Sequence, residues 1–209
     1  MTTYIGLISD VHATPAPLQE ALSLFRDEGV DRIFCAGDAA GYGEALDETV
    51  KLLEDHDCQS ILGNHDIWWL DEVGKGEYSR VVDYFNNLPT YLDTMIEGKR
   101  VYVAHAHPPY ADTGSIRLLD ENGAILPEQK EVWGERLSDF AYDVLIVGHS
   151  HQVFAEQLKN TLVINPGSTK FNNSCAILRL PDQTVQWFAL SNKPLVKVWN
   201  WGRQFQEAE

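Results

Sequence analysis

Five apolar, strand-like runs of this chain each end at a turn whose first polar residue is Asp, Asn or His. The runs lead to Asp10, Asp38, Asn64, His105 and His149. Strands that are joined by helical crossovers run parallel, so their carboxyl ends lie side by side, and an open α/β sheet keeps its site beyond those ends. The pattern therefore predicts an α/β fold in which these side chains gather along one edge.

Strand-like and helical segments alternate in the first half of the chain. Apolar residues recur at three- and four-residue steps after Pro15 and again within 44–55, which predicts two helices between three strands. The following segments are predicted to be, in order, a helix over 78–85, a hairpin of 91–96 and 100–104, a long loop at 106–126, a helix over 128–140 and a strand at 144–147.

The last third of the chain reads as strands and turns. Four further strands are predicted at 153–158, 161–165, 176–180 and 185–190, and their short connections favour a β-meander. Two mixed sheets packed back to back, each covered by helices on its outer face, would bury all of these strands. The length of 209 residues is compatible with a single domain, residues 1–209.

The composition disfavours two kinds of large partner. Asp and Glu total 31 against 16 Lys and Arg, and this charge of −15 opposes binding to nucleic acid or to an anionic membrane. No apolar run approaches the ~18 to 20 residues that span a bilayer, and no leader peptide is evident at the start. We therefore expect a soluble cytoplasmic protein that acts on a small substrate, and the sequence leaves its oligomeric state open.

The candidate ligands occur in five short motifs. Carboxylate, amide and imidazole groups in this combination suit divalent cations, and a carboxylate shared by two cations about 3.5 to 4 Å apart would offset their repulsion. A water between two such cations can ionise near neutral pH. The motifs are Asp10-Val11-His12, Gly37-Asp38, Gly63-Asn64-His65-Asp66, Ala104-His105 and Gly148-His149-Ser150-His151.

In this order the motifs resemble the calcineurin-like metallophosphoesterase superfamily, and within it the short bacterial and archaeal phosphodiesterases. The resemblance runs from Asp10 to the turn at 165–168 and implies a four-layer α-β-β-α sandwich. It also implies that Asp38 bridges the metals and that His65 is the general acid, which protonates the leaving oxygen while a bridging hydroxide attacks phosphorus. One metal would be held by Asp10, His12, Asp38 and His151, and the other by Asp38, Asn64, His105 and His149.

Two departures from the family patterns bear on the substrate. Protein serine/threonine phosphatases carry an Asp-Arg pair after the Gly-Asp motif, whereas Gly37-Asp38 is followed here by Ala39-Ala40, so no arginine clamps phosphate at this point. The small phosphodiesterases often have cysteine at the position of His65, so hydrolysis of either monoesters or diesters is predicted. The ligands suit Mn²⁺ first, with Fe, Zn²⁺, Ni²⁺ and Mg²⁺ as alternatives.

Several interpretations stay open. The alternative function is a metal-binding interaction scaffold of the same fold that lacks turnover, and a nuclease is disfavoured by the acidic charge. Trp68 and Trp69 are interpreted as packing residues, with stacking on a nucleobase as the alternative. Asp66 would either orient His65 or cap a turn, and His107 would lie behind the ligands or in solvent. Loops at 70–79 and 106–126 are expected to flank the crevice.

Overall fold

The computed structural model describes residues 1–73, 79–108 and 114–199. Its helices are α1 (Pro15–Asp27), α2 (Leu46–Asp55), α3 (Asn64–Val73), α4 (Arg80–Asn87) and α5 (Pro127–Arg136). Its strands are β1 (Thr3–Ile8), β2 (Arg32–Cys35), β3 (Gln59–Ser60), β4 (Tyr91–Ile96), β5 (Lys99–Ala104), β6 (Val144–Ile146), β7 (Val153–Leu158), β8 (Thr161–Pro166), β9 (Ser174–Leu180) and β10 (Thr184–Ala189).

The strands form two mixed sheets of five strands each. The first sheet has the order β10-β9-β1-β2-β3, and the second has the order β4-β5-β6-β8-β7. Parallel pairing joins β1, β2 and β3 in one sheet and β5, β6 and β8 in the other, while the outer hairpins pair antiparallel. The carboxyl ends of these parallel strands carry the predicted ligands.

The two sheets pack face to face, with helices on their outer faces. Along β1, Leu7 faces the second sheet and meets Val103 in the core between the sheets, whereas Ile8 faces the core under α1 and α2. The other outer face is covered by α5, where Trp133 packs with Leu145. This is the predicted four-layer α-β-β-α sandwich, and the fold prediction is confirmed. A single domain over residues 1–209 stays a prediction.

The predicted β-meander is wrong. The strands β7 and β8 form a hairpin in the second sheet, whereas β9 and β10 form a hairpin in the first, where β9 pairs antiparallel with β1. The segment that follows Pro166 therefore crosses from one sheet to the other. Alternating hydrophobicity identifies a strand but not the sheet that it joins, because pairing partners far apart in sequence decide that.

A helix that begins within the third motif was not predicted. The helix α3 begins at Asn64 and includes 70–73, which were expected to be loop, while 74–78 lie outside the described residues. The other helices occur where predicted with shifted ends: α2 begins at Leu46, α4 ends at Asn87 and α5 ends at Arg136. Within the described ranges, none of the helices is long and apolar enough to span a membrane.

Candidate metal centre

The predicted ligands converge where the ends of both sheets meet. Asp10 and Asp38 follow β1 and β2, Asn64 begins α3, His105 follows β5, and the His149-Ser150-His151 segment follows β6. All seven predicted ligands are buried or half-buried, and Asp10, His12 and His105 have no exposed surface. The convergence therefore joins loops from the first sheet with loops from the second.

A first group consists of Asp10, His12 and His151. One ligand atom from each lies within 4.8 Å of the other two. The Nε2 atoms of His12 and His151 are 3.2 Å apart, and Asp10 Oδ1 is 3.2 Å from Nε2 of His151. Nδ1 of His12 donates to the carbonyl oxygen of Ala40 at 2.9 Å, so its Nε2 is directed at the group.

A second group consists of Asp38, His105 and His149, whose ligand atoms also lie within 4.8 Å of one another. Nε2 of His105 is 3.3 Å from Asp38 Oδ2 and 3.1 Å from Asn64 Oδ1, so the amide joins this group. Nδ1 of His105 donates to the carbonyl oxygen of Ala36 at 2.7 Å. Metal-binding histidines commonly donate their second ring nitrogen in this way.

Asp38 lies between the two groups. It belongs to the second group, and its carboxylate also lies within 4.8 Å of ring nitrogens of His12 and His65. The structure thus brings Asp10, His12 and His151 together, and likewise Asp38, Asn64, His105 and His149. Their role as metal ligands stays a prediction. His65 is also close enough to Asp38 to act as a ligand, a role that its sequence motif does not indicate.

The electrostatics of the centre depend on burial and on opposed charges. Burial alone raises the pKa of Asp10 and of Asp38, but neighbouring histidines outweigh it and lower both pKa values. Burial lowers the pKa of His12 to about 4, so its imidazole is neutral at pH 7. Burial also opposes the charged form of His105, but Asp38 outweighs it and raises the pKa of His105 to about 10.

The donors fit divalent cations. Both His12 and His105 donate Nδ1–H to a carbonyl, and the Nε2 atom that remains faces carboxylate or imidazole acceptors. Two imidazole nitrogens 3.2 Å apart beside a buried carboxylate are stable together when a proton or a metal ion is shared among them. Mixed nitrogen and oxygen donors of this kind suit Mn²⁺, Fe, Zn²⁺ and Ni²⁺.

Asp66 ties two of the ligand loops together. Its carboxylate accepts from the backbone N–H groups of Gly63, Asp38 and Ala40 at 2.8 to 2.9 Å. Gly63 is the residue before α3 and its carbonyl accepts from Ile67, so Asp66 caps the helix in the manner of a capping box. Burial and the charge of Asp38 raise the pKa of Asp66 to about 7. This residue fixes the loop of Asp38 against the start of α3.

A turn near the end of β8 supports the loops of the first group. The side-chain amide of Asn165 donates to the carbonyl of Gly148 at 2.8 Å, and the Ser168 hydroxyl donates to the carbonyl of Asp10 at 2.6 Å. Gly148 must lack a side chain, because a Cβ there would lie 2.0 Å from the Ser9 hydroxyl. The turn therefore holds the Asp10 and His149 loops in contact.

Aromatic rings surround His65. Its half-buried imidazole lies 4.6 Å from the ring of Tyr42 and 4.9 Å from the ring of Trp68, centroid to centroid. The tryptophan pair divides, since Trp69 packs on Phe85 in the core under the helices whereas Trp68 is 54% exposed. The sequence analysis did not identify Tyr42 as a residue of the site. Its position between two glycines, four residues after Asp38, could have indicated that its ring lies close to the centre.

Two other features considered from the sequence are His107 and the loop at 106–126. The His107 ring lies 5.5 Å from that of Trp133, and its Nδ1 contacts the carbonyl oxygen of Pro108 at 2.8 Å. His107 is therefore directed toward α5. The loop at 106–126 is described at 106–108 and 114–126, where it contains neither a helix nor a regular strand, and Leu119 forms an isolated bridge with Ile125.

Comparison with known proteins gives matches over most of the chain. A sequence model of the calcineurin-like phosphoesterase superfamily domain matches residues 4–182. An uncharacterized protein of Methanocaldococcus jannaschii is 29% identical, and the match covers 78% of this chain and 68% of that protein. A phosphodiesterase of the same organism is 23% identical, and the match covers 78% of this chain and 82% of that enzyme. A metallophosphoesterase structure from Sphaerobacter thermophilus is similar with a TM-score of 0.67 at 23% identity, covering 91% of this chain and 89% of that one.

Proposed function

The chain belongs to the calcineurin-like phosphoesterase superfamily, and from that premise we propose that it hydrolyses phosphodiester or phosphomonoester bonds of small soluble substrates at a centre of two divalent ions. The family predicted from the motifs is confirmed, and with it the prediction of a metal-dependent phosphoesterase. The substrate, the two-ion centre and the roles of individual residues are the proposed part.

In this proposal the two groups of side chains hold one ion each. Asp10, His12, Asp38 and His151 hold the first, and Asp38, Asn64, His105 and His149 hold the second. When bound, such ions lower the pKa of a water and stabilise the charge on phosphorus oxygens. The observation that carries the proposal is the placement of Asp38 within 4.8 Å of donors from both groups.

His65 is the proposed general acid. Its backbone N–H donates to Asp38 Oδ1 at 2.9 Å, and its half-buried ring lies 5.0 Å from that of His12, so the imidazole sits at the mouth of the centre. A positioned acid of this kind contributes about 10² to 10⁴ in rate. Its contribution grows with the basicity of the leaving oxygen, because a poorer leaving group needs its proton more.

The test is an assay with Mn²⁺ on bis-p-nitrophenyl phosphate, p-nitrophenyl phosphate and phenyl phosphate. The wild type is expected to hydrolyse a p-nitrophenyl ester, and His65→Ala is expected to lose a larger factor on phenyl phosphate than on p-nitrophenyl phosphate. Metal content, measured in the same samples, is expected to be unchanged in His65→Ala. The matched control is His56→Ala, which removes a histidine whose Nδ1 contacts the carbonyl oxygen of Leu52 in α2.

Other outcomes would change the assignment. Loss of bound metal in His65→Ala would make His65 a ligand, as its distance from Asp38 permits. Inactivity toward all three esters and toward nucleotides, with two ions bound per chain, would contradict the proposed hydrolysis and favour the interaction scaffold.

A further inference from the structure

The position of His65 defines where the leaving group of a substrate lies. If His65 protonates the leaving oxygen, as in the proposed function on which this inference rests, the group attached to that oxygen must lie beside the imidazole. The imidazole lies beside the buried ring of His12 and beside the exposed rings of Tyr42 and Trp68, whose centroids are 4.6 and 4.9 Å away. The two exposed side chains therefore border the space into which a leaving group would project.

Both rings are unusually exposed for their size. Tyr42 is 56% exposed and Trp68 is 54% exposed, and both belong to the small set of large apolar side chains that the described surface presents. Trp68 lies three residues after His65 in α3, so helical spacing places the two side chains on the same face. Exposed aromatic faces beside a reactive group offer a surface for a planar aromatic ligand.

The backbone around Tyr42 is held in a conformation that needs support. Tyr42 has a φ of 52°, and the N–H of Gly43 donates to the carbonyl of Gly41 at 2.6 Å, which closes a three-residue turn. A Cβ at Gly41 would lie 2.6 Å from Nδ1 of His65, and one at Gly43 would lie 2.3 Å from the carbonyl oxygen of Ala13. The two glycines thus let the turn approach the site closely and fix the tyrosine there.

The Tyr42 ring also contacts those of His12 and Phe171, with centroids 4.8 and 5.6 Å away, and still keeps more than half of its surface exposed. Within the described residues, the other aromatic side chains near the centre are less exposed and pack on further rings. Phe171 stacks on the ring of His151 at 5.3 Å and on that of Trp199 at 5.0 Å, centroid to centroid. Trp69, next in sequence to Trp68, packs on Phe85. In the part of the chain that the structure describes, Tyr42 and Trp68 thus contribute the exposed aromatic surface beside the centre.

We propose that Tyr42 and Trp68 form a subsite for the leaving group and select phosphoesters whose leaving group carries a planar aromatic ring, either an aryl alcohol or a nucleoside with its base. Stacking on aromatic side chains contributes about 1 to 3 kcal/mol per base, which corresponds to about a five- to a hundred-fold effect. Every base and every aryl ring presents a π-face, so the subsite recognises the class and not one base.

The test compares three phosphodiesters that differ in the leaving group. With Mn²⁺, p-nitrophenyl phosphorylcholine carries an aryl leaving group, glycerophosphocholine an alkyl one, and a dinucleoside monophosphate a nucleoside. Trp68→Ala and Tyr42→Ala are expected to lower kcat/KM about five- to a hundred-fold on the aromatic substrates and less than twofold on glycerophosphocholine. Trp68→Phe, which keeps a ring, is expected to retain most of the activity.

The matched control is Tyr91→Ala. Tyr91 is 50% exposed on β4 and stacks on Tyr102, so the variant removes an aromatic ring of similar exposure from another part of the surface. Equal losses on all three substrates would contradict the subsite. A larger loss on glycerophosphocholine would also contradict it, because that pattern means that the rings position His65 and do not bind the leaving group.

A binding measurement separates this inference from the proposed hydrolysis. Phenylphosphonate and methylphosphonate contain a P–C bond that this hydrolysis does not cleave, and calorimetry on the Mn²⁺-loaded protein is expected to give at least fivefold tighter binding of phenylphosphonate. Trp68→Ala is expected to abolish that preference and Tyr91→Ala to keep it. A preference without turnover overturns only the hydrolysis, whereas turnover without a preference overturns only the subsite.

Discussion

Five of the predicted ligands have backbone conformations that residues with a side chain rarely adopt. The φ angles lie between 48° and 63° at Asp10, His12, Asp38, His149 and His151. Such conformations cost on the order of 1 to 3 kcal/mol each and persist when surrounding contacts over-determine them. Here the bonds from Asp66, Asn165 and Ser168 supply those contacts. The predicted ligands are therefore held in place by the protein without an ion.

A pH dependence of metal binding follows from His105. Without metal, Asp38 raises the pKa of His105 to about 10, whereas burial keeps that of His12 at about 4. A metal needs the neutral imidazole, so at pH 8 binding must displace the proton of His105 but none from His12. Apparent affinity is expected to rise by up to about tenfold per pH unit between pH 7 and 9. Calorimetry in buffers of different ionisation enthalpy should detect about one released proton.

The raised pKa of His105 also affects the stability of the metal-free chain. Its contribution to stability falls as the pH rises, whereas metal affinity increases. Because the pKa of His105 is raised above its ordinary 6.5, its charged form stabilises the folded state below about pH 6.5, and this contribution is lost as the pH rises toward 10. Metal affinity that does not change between pH 7 and 9, with no proton released, would contradict the assigned state of His105.

At the scale of elements, one glycine sets how closely α1 packs on the first sheet. A Cβ at Gly6 in β1 would lie 2.6 Å from the ring of Phe25, which is fully buried in α1. The glycine therefore provides the space that the phenylalanine ring fills, and the helix rests directly on the strand that ends at Asp10. Packing of α1 and the position of a predicted ligand are linked through this contact.

Gly6→Ala is expected to lower the free energy of unfolding by about 1 to 3 kcal/mol, because the added methyl overpacks the core. Gly134→Ala is its matched control: Gly134 lies in α5, and a Cβ there would make an ordinary 3.7 Å contact with Lys159. That variant is expected to gain about 0.5 to 1 kcal/mol from helix propensity. Urea unfolding measures both.

The origin of the Gly6 effect can be checked by a double variant. If the clash is with Phe25, adding Phe25→Leu should make the effect of Gly6→Ala smaller than in the wild-type background. Additive effects of the two substitutions would mean that the cost arises elsewhere in β1.

At the scale of the whole molecule, the centre connects the two sheets. Asp10, Asp38 and Asn64 come from the first sheet and its connections, and His105 and His149 from loops that follow strands of the second. An ion held by side chains from both sheets would therefore resist separation of the sheets. Ligands that bind only the folded state stabilise it by mass action, which gives about 2.7 kcal/mol at a concentration of 100 Kd.

Removing the metal is expected to lower the Tm by about 5 to 10 °C relative to Mn²⁺ at 100 Kd. Differential scanning calorimetry with Mn²⁺ and with excess chelator measures the shift. Asp38→Asn is expected to lose most of the shift because it weakens both groups, whereas His56→Gln is expected to keep it. An unchanged Tm in wild-type protein that binds two ions would contradict a centre that joins the sheets.

The side chains that gather in the candidate centre, their order along the chain and most strands could be predicted from the sequence by itself. The reason is local: apolar runs that end at Asp10, Asp38 or His105 show both the strand and the turn residue within a few positions. The glycines before Asp38, Asn64 and His149 belong to the same local pattern. The layered architecture could be predicted from these strands, since both faces of each sheet had to be buried.

The tertiary structure alone decided which sheet each hairpin joins and what surrounds His65. The pairing of β9 with β1, the bonds of Asp66 to Asp38 and Ala40, and the approach of Tyr42 to His65 all join residues that are remote in sequence. Such contacts leave no local signature, because hydrophobic alternation and helix periodicity describe a segment's own faces and not its partner. The sequence thus determined which side chains form the candidate centre, and the folding of both sheets around one edge determined its geometry.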